Sequence, residues 1–235
     1  MSRLALRWPL FVALAFSASI VSCKSNGQTP PAAATKPGAW RPLLSATSAD
    51  AWRGYKMTAL PPGWSVANGE LRKTKTTEDI ITKEKFSDFE FEMDWKLEKG
   101  GNSGLFYRGS EEFDRVYWSA VEYQLLDDAN AADGKNRLTS AGAAYGLYAP
   151  PVGIVKPFGE WNTARIVVKG AHVEHWLNGV KVVDMELWSP DWEAKVAASK
   201  FKAWTKYGRA KTGHIAIQGD HNGALTLRSM RIRTL

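Results

Sequence analysis

The chain contains very little cysteine and no apolar run long enough to span a bilayer unaided. Cys23 is the single cysteine among 235 residues, so no disulfide can form within the chain. The apolar run at residues 9–21 is too short for a transmembrane helix. The net charge is +7, but Lys and Arg are interleaved with Asp and Glu rather than gathered into a basic stripe. We therefore expect a core-stabilised protein without a nucleic-acid partner.

The N-terminal segment has the pattern of a bacterial lipoprotein signal peptide. Arg3 and Arg7 form a basic region before the apolar run, which ends in IVSC at residues 20–23 and resembles a lipobox. We predict a signal peptide at residues 1–23, lipidation at Cys23, and a membrane partner through that lipid. The expected location is the bacterial envelope, facing the periplasm or the cell surface. The alternative is an ordinary secreted protein in which Cys23 has no special role.

A flexible linker and one folded domain are predicted to follow. Residues 24–39, KSNGQTPPAAATKPGA, are rich in Pro, Ala, Gly and Thr and contain no periodic apolar residues. Residues 40–235 are the right length for a single all-β domain.

Alternating apolar and polar residues predict that this domain is all-β. In FEFEMDWKL, Phe89–Leu97, the apolar side chains share one face and the acidic ones mostly share the other. Asn68-Gly69 and Asn178-Gly179 are typical of two-residue hairpin turns. Further strands are predicted at residues 79–86, 105–108, 120–126, 163–169, 172–177, 180–184, 214–218 and 225–233.

Two segments depart from simple alternation. The apolar parity of the last strand changes near Arg228-Ser229, which predicts a bulge. Ser189 and Pro190 have the residue types of an N-cap and a first helical position, and they predict a short helix that runs to Phe201. Many short antiparallel strands with one small helix indicate a β-sandwich or jelly roll.

Two of the predicted strands carry polar side chains on a face that would normally be apolar and buried. Glu122 and Gln124 share a face in VEYQLLDD, and Asn102 and Arg108 share one in NSGLFYRG. A carboxylate, an amide and a guanidinium on adjacent strands could form a hydrogen-bonding surface suited to a sugar. The sequence therefore predicts a carbohydrate site.

Several stretches together resemble the 3-keto-disaccharide hydrolase domain family. They are NSGLFYR, VEYQLLDD, AAYGLYAPP, KPFGEWNTARIVVKG, VEHWLNGVKV and GHIAIQGDHNGALTLRSMRIRTL. The resemblance implies a concanavalin A-like jelly-roll β-sandwich, here with one short inserted helix, whose concave sheet forms a sugar cleft. It also implies secreted or lipid-anchored proteins that act on glycosides already oxidised at C3. One departure is the extra residue in the sequence QGDHN at 218–222, where the family reads Gln-Asp-His-Gly.

The chemistry of a 3-keto glycoside requires one base and one group that stabilises an enolate. The ketone acidifies the proton on C2, and the resulting enolate can expel the leaving group from C1 before water adds back. Strand parity and the resemblance make Glu122 or His175 the candidate base, with Arg108 and Gln124 at sugar oxygens or the enolate. The residues predicted to bind substrate are Asn102, Arg108, Gln124, Asp128, Tyr145, Trp161, Gln218 and His221.

Each of these assignments has a structural alternative. Glu122 and Arg108 could form ordinary ion pairs. His175 is in parity with apolar neighbours and could be a core histidine, and Trp161 could stack on a sugar or pack in the core. Asp128 follows a strand, where acids commonly form turns.

Two other functions remain open at this point. The acidic row of Glu90, Glu92 and Asp94 could belong to a classical retaining glucanase, although a solvated face explains it better. A non-catalytic carbohydrate-binding lipoprotein is the other alternative. Asp127 and Asp128 could, with Glu122, bind a divalent cation through oxygen, but no residue spacing demands a metal or another cofactor. A 3-keto substrate would require an upstream sugar 3-oxidoreductase as a functional partner.

Overall fold

The computed structural model describes Met1 and residues 37–235. Apart from Met1, the predicted signal peptide with its predicted lipidation site, Cys23, and most of the predicted linker lie outside the described residues. In the described part of the chain, one α-helix, α1 (Pro190–Ala198), accompanies thirteen strands. The strands are β1 (Arg41–Pro42), β2 (Trp52–Gly54), β3 (Trp64–Ala67), β4 (Glu70–Lys73), β5 (Ile80–Thr82), β6 (Phe89–Leu97), β7 (Asn102–Gly109), β8 (Val121–Leu126), β9 (Asn162–Lys169), β10 (His172–Leu177), β11 (Val180–Glu186), β12 (His214–Ile217) and β13 (Leu225–Thr234). Short 3₁₀ helices span Val116–Trp118, Ala132–Lys135, Arg137–Thr139 and Lys200–Ala203.

The strands form two antiparallel sheets that pack face to face. The larger sheet has the order β11-β10-β9-β6-β13-β4-β3, with β1 also paired to β13. The smaller sheet has the order β2-β5-β12-β7-β8. The apolar core lies between the sheets, where inward side chains of both are buried. This architecture confirms the predicted jelly-roll sandwich.

Strand β6 has the predicted bounds and the predicted alternation. Its five apolar side chains are buried in the core. On the outer face, Glu90 pairs with Arg165 at 2.7 Å and Glu92 pairs with Arg231. Asp94 accepts from Thr163 and pairs with Arg228. The acidic row is therefore a charge-paired outer surface of the larger sheet.

Both hairpin turns and the bulge are also confirmed. Asn68 and Gly69 have φ values of 52° and 76°, and Asn178 and Gly179 have 50° and 82°. Two successive positive φ values are the signature of a type I′ turn, which suits the twist of the flanking strands. In β13, pairing with β6 shifts register between Arg228 and Arg231, and the intervening Ser229 has φ 54°.

The inserted helix begins at the predicted cap but is divided in two. Ser189 Oγ accepts a hydrogen bond from the Trp192 N–H, and α1 ends at Ala198. Ser199 then caps the 3₁₀ helix Lys200–Ala203, accepting from the Phe201 N–H at 3.1 Å. This 3₁₀ helix lies over the outer face of the smaller sheet. Among the described residues, no helix is both long and apolar enough to cross a membrane.

Candidate functional site

A cleft of about 340 Å³ opens on the outer face of the smaller sheet. Its volume lies at the lower end of the usual range for small-molecule sites. Its floor is formed by the side chains of Asn102, Glu122, Gln124 and Gln218. Its walls include the aromatic residues Tyr117, Tyr145, Phe201 and Trp204. Charged or titratable groups at its rim are Asp133, Lys200, Asp220 and His221.

The floor follows from the pleat of β8. Tyr123 and Leu125 point into the core, so Glu122 and Gln124 point to the opposite side and into the cleft. Gly104 on β7 pairs with Gln124 in the ladder and lies beside the Glu122 carboxylate. The absence of a side chain at Gly104 leaves the space that Glu122 occupies.

Glu122 is a carboxyl group without a polar partner. Among the described residues it has no side-chain hydrogen bond and no ion pair within 4 Å, although part of its surface is open to the cleft. Burial raises its pKa to about 8, and the positive charge of Lys200 opposes that rise. Asp79, Asp133 and Asp220 raise the pKa further through their negative charges. A carboxyl that titrates near neutral pH is suited to proton transfer.

Four buried acceptor oxygens in the cleft lack a donor in the described part of the chain. They are Asn102 Oδ1, Gln124 Oε1, Gln218 Oε1 and Asp220 Oδ1. The orientation of the Gln124 amide is set by its NH₂ group, which donates to the Thr139 carbonyl at 3.2 Å. Buried acceptors without donors are costly, so a ligand rich in hydroxyl donors would satisfy them.

The remaining wall combines aromatic faces with one lysine. Tyr117 and Trp204 lie 5.7 Å apart between ring centroids, and Phe201 lies 5.4 Å from Trp204. Lys200 Nζ stands 4.5 Å above the Tyr145 ring, and the Tyr145 hydroxyl donates to Asp133 at 3.4 Å. Burial raises the pKa of Tyr145 to about 12. Aromatic faces of this kind can stack on the apolar faces of sugar rings.

The described residues offer one cluster with metal-ligand chemistry, and it lies outside the cleft. His172, Glu174 and Asp184 have ligand atoms within 4.8 Å of one another on β10 and β11 of the larger sheet. Lys181 already pairs with Glu174 and Asp184. His172 is on this outer surface, whereas His175 faces the core, as their spacing on a strand predicts. Asp127 instead accepts hydrogen bonds from Asn130 and the Gly100 N–H.

The prediction that His175 could be the catalytic base needs correction. Its side chain is fully buried between the sheets, and its Nδ1 lies 3.1 Å from the Gly142 carbonyl oxygen. Its Nε2 lies 3.1 Å from the Tyr107 hydroxyl. Burial lowers its pKa to about 4, so it is neutral near physiological pH. His175 is therefore a hydrogen-bonded core residue that does not reach the cleft.

Arg108 is also absent from the cleft, for a backbone reason. Its φ of 54° interrupts the strand alternation that would have placed it beside Asn102. Its guanidinium donates instead to the carbonyl oxygens of Ser87 and Gly170, at 2.7 and 2.8 Å, and contacts Asp88. Arg108 ties the strand to neighbouring loops and is not positioned to bind a cleft ligand.

Asp128 and Trp161 are the remaining corrections. Asp128 accepts from the Ala141 N–H at 2.8 Å and lines a different hollow. Trp161 lies on the outer face of the larger sheet. Its ring centroid is 4.6 Å from Lys96 Nζ and 3.9 Å from the Arg228 guanidinium carbon. Both positions are separated from the cleft, so neither residue lines it.

Six predicted residues do meet in the cleft, and six others were missed. The structure brings together Asn102, Glu122, Gln124, Tyr145, Gln218 and His221. Sequence reasoning did not identify Tyr117, Asp133, Lys200, Phe201, Trp204 and Asp220. Most of these come from loops and 3₁₀ turns, where no periodicity indicates direction. Asp220 alone lay within a motif already noted, QGDHN.

The fold and the cleft define a jelly-roll sandwich with a hydrogen-bonding site on one sheet, an architecture that lectin domains also use. More particularly, residues 39–233 match the family of 3-keto-alpha-glucoside-1,2-lyase-like domains, and the chain belongs to that family. This result confirms the resemblance seen in the sequence.

Individual relatives agree with the family assignment. A 3-keto-disaccharide hydrolase of Bacteroides thetaiotaomicron is 32% identical over 216 residues, which cover 78% of this chain and 74% of the relative. A crystal structure of a presumed glycosyl hydrolase from Parabacteroides distasonis superimposes with a TM-score of 0.78 at 28% identity, covering 85% of this chain and all of that one. A second such structure from the same organism gives 0.67 at 27% identity, covering 84% of this chain and all of that one.

Proposed function

We propose that this protein is a carbohydrate-active enzyme that cleaves 3-keto-glycosides, including 3-keto-disaccharides, by elimination followed by hydration. The observation that carries the proposal is the Glu122 carboxyl, which has no polar partner within the described part of the chain and lies among buried acceptors that lack donors there. Family membership and the name of the Bacteroides thetaiotaomicron relative support the same substrate class.

The cleft favours a polyhydroxylated ring. Sugar hydroxyls donate hydrogen bonds, which is what the free oxygens of Asn102, Gln124 and Gln218 require. Tyr117 and Trp204 offer apolar faces at one side of the same space. A sugar can therefore use its edge for hydrogen bonds and its face for aromatic contact.

Glu122 is the proposed base. Its carboxylate takes the proton from C2, and the electrons of that C–H bond form the enolate of the C3 ketone. Because burial favours the neutral form of Glu122, the group is a stronger base than an exposed carboxylate. The enolate then forms the C1–C2 double bond and breaks the bond from C1 to the leaving oxygen.

Lys200 takes the electrostatic role that the sequence had suggested for Arg108. Its ammonium lines the cleft, and its charge acts on Glu122. A positive charge near the developing enolate oxygen lowers the barrier to proton removal. The Tyr145 hydroxyl lines the same cleft and can protonate the leaving oxygen. Water then adds across the double bond, its hydroxyl joining C1 and a proton joining C2.

This arrangement disfavours a classical glucanase built on the acidic row. Glu90, Glu92 and Asp94 lie on the outer face of the larger sheet and pair with arginines. A retaining glycosidase needs two carboxyl groups that flank the scissile bond in one cleft. The row cannot provide that pair for the cleft on the smaller sheet.

The direct test is incubation of the purified protein with a 3-keto-glucoside and with the same glucoside unoxidised. We expect release of the aglycone from the keto sugar only, because only the ketone acidifies the C2 proton. Chromatography of the products would follow both reactions. Cleavage of the unoxidised glucoside would favour a conventional glycosidase, and binding of either sugar without turnover would favour a lectin-like module.

A keto substrate places this protein after an oxidation step. An oxidoreductase that converts the C3 hydroxyl of a sugar to a ketone must supply the substrate. We also propose, from the signal peptide and Cys23, that the reaction occurs in the bacterial envelope.

Gly104→Ala is expected to lower kcat/KM by about tenfold to a hundredfold, a range typical of small displacements of a catalytic group. A Cβ at this position would overlap the Glu122 carboxylate and approach the Phe106 ring to 2.9 Å. Kinetics of the single variants and of the double variant with Glu122→Gln would check this explanation. If Gly104→Ala acts through Glu122, it adds little to the loss in the double variant. Fully additive losses would contradict it.

A further inference from the structure

Three cleft residues belong to one irregular segment, residues 218–223, which follows β12. Gln218, Asp220 and His221 all line the cleft, yet the segment has no ladder of its own beyond Ile217. Something other than regular secondary structure must therefore hold these side chains toward Glu122.

Asp79 binds the backbone at the start of this segment. Its carboxylate is buried, and its Oδ1 accepts from the Gly219 N–H at 2.7 Å. The Gly219 carbonyl accepts from the Thr77 N–H at 3.0 Å, so both backbone polar groups of Gly219 are bonded to the 77–79 stretch. A side chain at Gly219 would collide with the Glu78 carbonyl, which shows how closely the two backbones approach.

Lys73 holds the other end of the segment. It is the last residue of β4 and is almost completely buried, at 1% exposure. Its Nζ donates to the His221 carbonyl at 2.8 Å and to the Gly223 carbonyl at 2.9 Å. A buried ammonium is costly unless it is hydrogen-bonded, and here the two loop carbonyls accept its hydrogen bonds.

Burial and neighbouring charges act in opposite directions on the ionisation of both residues. Burial lowers the pKa of Lys73, while the carboxylates of Asp220, Glu98 and Asp79 oppose that change. Burial raises the pKa of Asp79 to about 6, and its hydrogen bond from Gly219 opposes the rise. Neither residue lines the cleft, so neither can touch a ligand there.

We propose that Lys73 and Asp79 are positioning residues that clamp segment 218–223 at both ends and so hold Gln218, Asp220 and His221 in the cleft. The clamp fixes backbone groups, and the backbone in turn directs the side chains toward the substrate. Its catalytic consequence rests on the proposed function, but its structural part does not.

The structural part is tested by hydrogen exchange on the full-length protein. Asp79→Ala and Lys73→Met each remove one end of the clamp, and we expect the protection of the two amides hydrogen-bonded within it, Gly219 and Thr77, to fall about tenfold or more, in line with the loss of a charged hydrogen bond. Asp79→Asn keeps an acceptor for Gly219 and should retain most of the protection. Lys75→Met is the matched control, because Lys75 is exposed two residues along the chain.

The catalytic part is tested by kinetics on a 3-keto-glucoside. We expect Asp79→Ala and Lys73→Met to raise KM about tenfold with a smaller change in kcat, because Glu122 stays in place while sugar contacts loosen. Asp79→Asn should recover most of the lost affinity, which a general loss of stability would not explain. If a variant fails to fold, as judged by circular dichroism, the clamp is still tested by the Asp79→Asn variant and by hydrogen exchange of the Gly219 amide in the unmodified protein.

The outcomes separate the two proposals. Unchanged protection of the Gly219 and Thr77 amides in folded Asp79→Ala and Lys73→Met would overturn the clamp, as would rapid exchange of the Gly219 amide in the unmodified protein. If the unmodified protein does not cleave keto sugars, the proposed function fails, while the exchange data still decide whether the clamp exists. Lost protection with unchanged KM would overturn the positioning role.

Discussion

Glu122→Gln is expected to reduce the turnover of a 3-keto-glucoside by about 10²–10⁴-fold, the usual contribution of a general base. Glutamine has nearly the same shape but cannot accept the C2 proton. The floor amides Asn102, Gln124 and Gln218 remain, so substrate affinity should change little. The experiment combines steady-state kinetics with direct measurement of sugar binding to the variant.

Glu92→Gln is the matched control for this substitution. Glu92 is also a strand glutamate, but it lies on the outer face of the larger sheet and pairs with Arg231. Its replacement should leave activity on keto sugars unchanged. Turnover that survives Glu122→Gln would remove Glu122 from the mechanism. Equal loss of binding and turnover would instead assign it a role in holding the sugar.

Activity is expected to increase as the pH rises through about 8, the pKa of Glu122. At the same time, the effect of Glu122 on the free energy of unfolding is expected to become less favourable. The folded-state pKa of about 8 lies above the ordinary value of 4.5, so between these values the folded protein keeps a proton that the unfolded chain has lost. The free energy of unfolding therefore falls as pH rises across this window, by at most about 1.4 kcal/mol for each pKa unit of difference. Over the full window the penalty reaches a few kcal/mol.

Comparison with Glu122→Gln isolates this effect. The variant has no proton to lose at position 122, so it should become more stable than the unmodified protein at pH 9 and lose that advantage at pH 5. Asp79, whose pKa is raised to about 6, titrates in both proteins and cancels from the difference. Denaturant unfolding at several pH values measures the two curves. Parallel curves would show that Glu122 has an ordinary pKa, and an activity profile flat from pH 6 to 9 would contradict its role as the titrating base.

The strands were predictable because their signal is local. The bounds of β6 and β10 match the predictions, since alternation over six or more residues marks both the element and its buried face. The two Asn-Gly turns and the bulge near Ser229 were equally visible, because each depends on residue types within a few positions. For the same reason Glu122 and Gln124 could be assigned to one face of β8.

The errors arose where a single backbone angle or a distant partner decides direction. Arg108 was placed with Asn102 by counting alternate positions, but its positive φ turns it toward Ser87 and Gly170. His175 matched a family stretch, and its parity alone favoured the core. Trp161 precedes β9, and nothing local indicates that this strand belongs to the sheet opposite the cleft.

Local patterning in the sequence was enough to predict the sandwich and a carboxylate–amide floor on one strand, and the resemblance of several stretches to a known family identified the family. Only the tertiary structure decided which groups share the cleft with Glu122, because Lys200, Asp133 and Asp220 arrive on separate loops and turns. The physical reason is that strand alternation is set by the covalent geometry of neighbouring residues, whereas a cleft is assembled by packing between segments far apart in the chain. Burial of Glu122, and with it the shift of its pKa, is likewise a property of the assembled sheets.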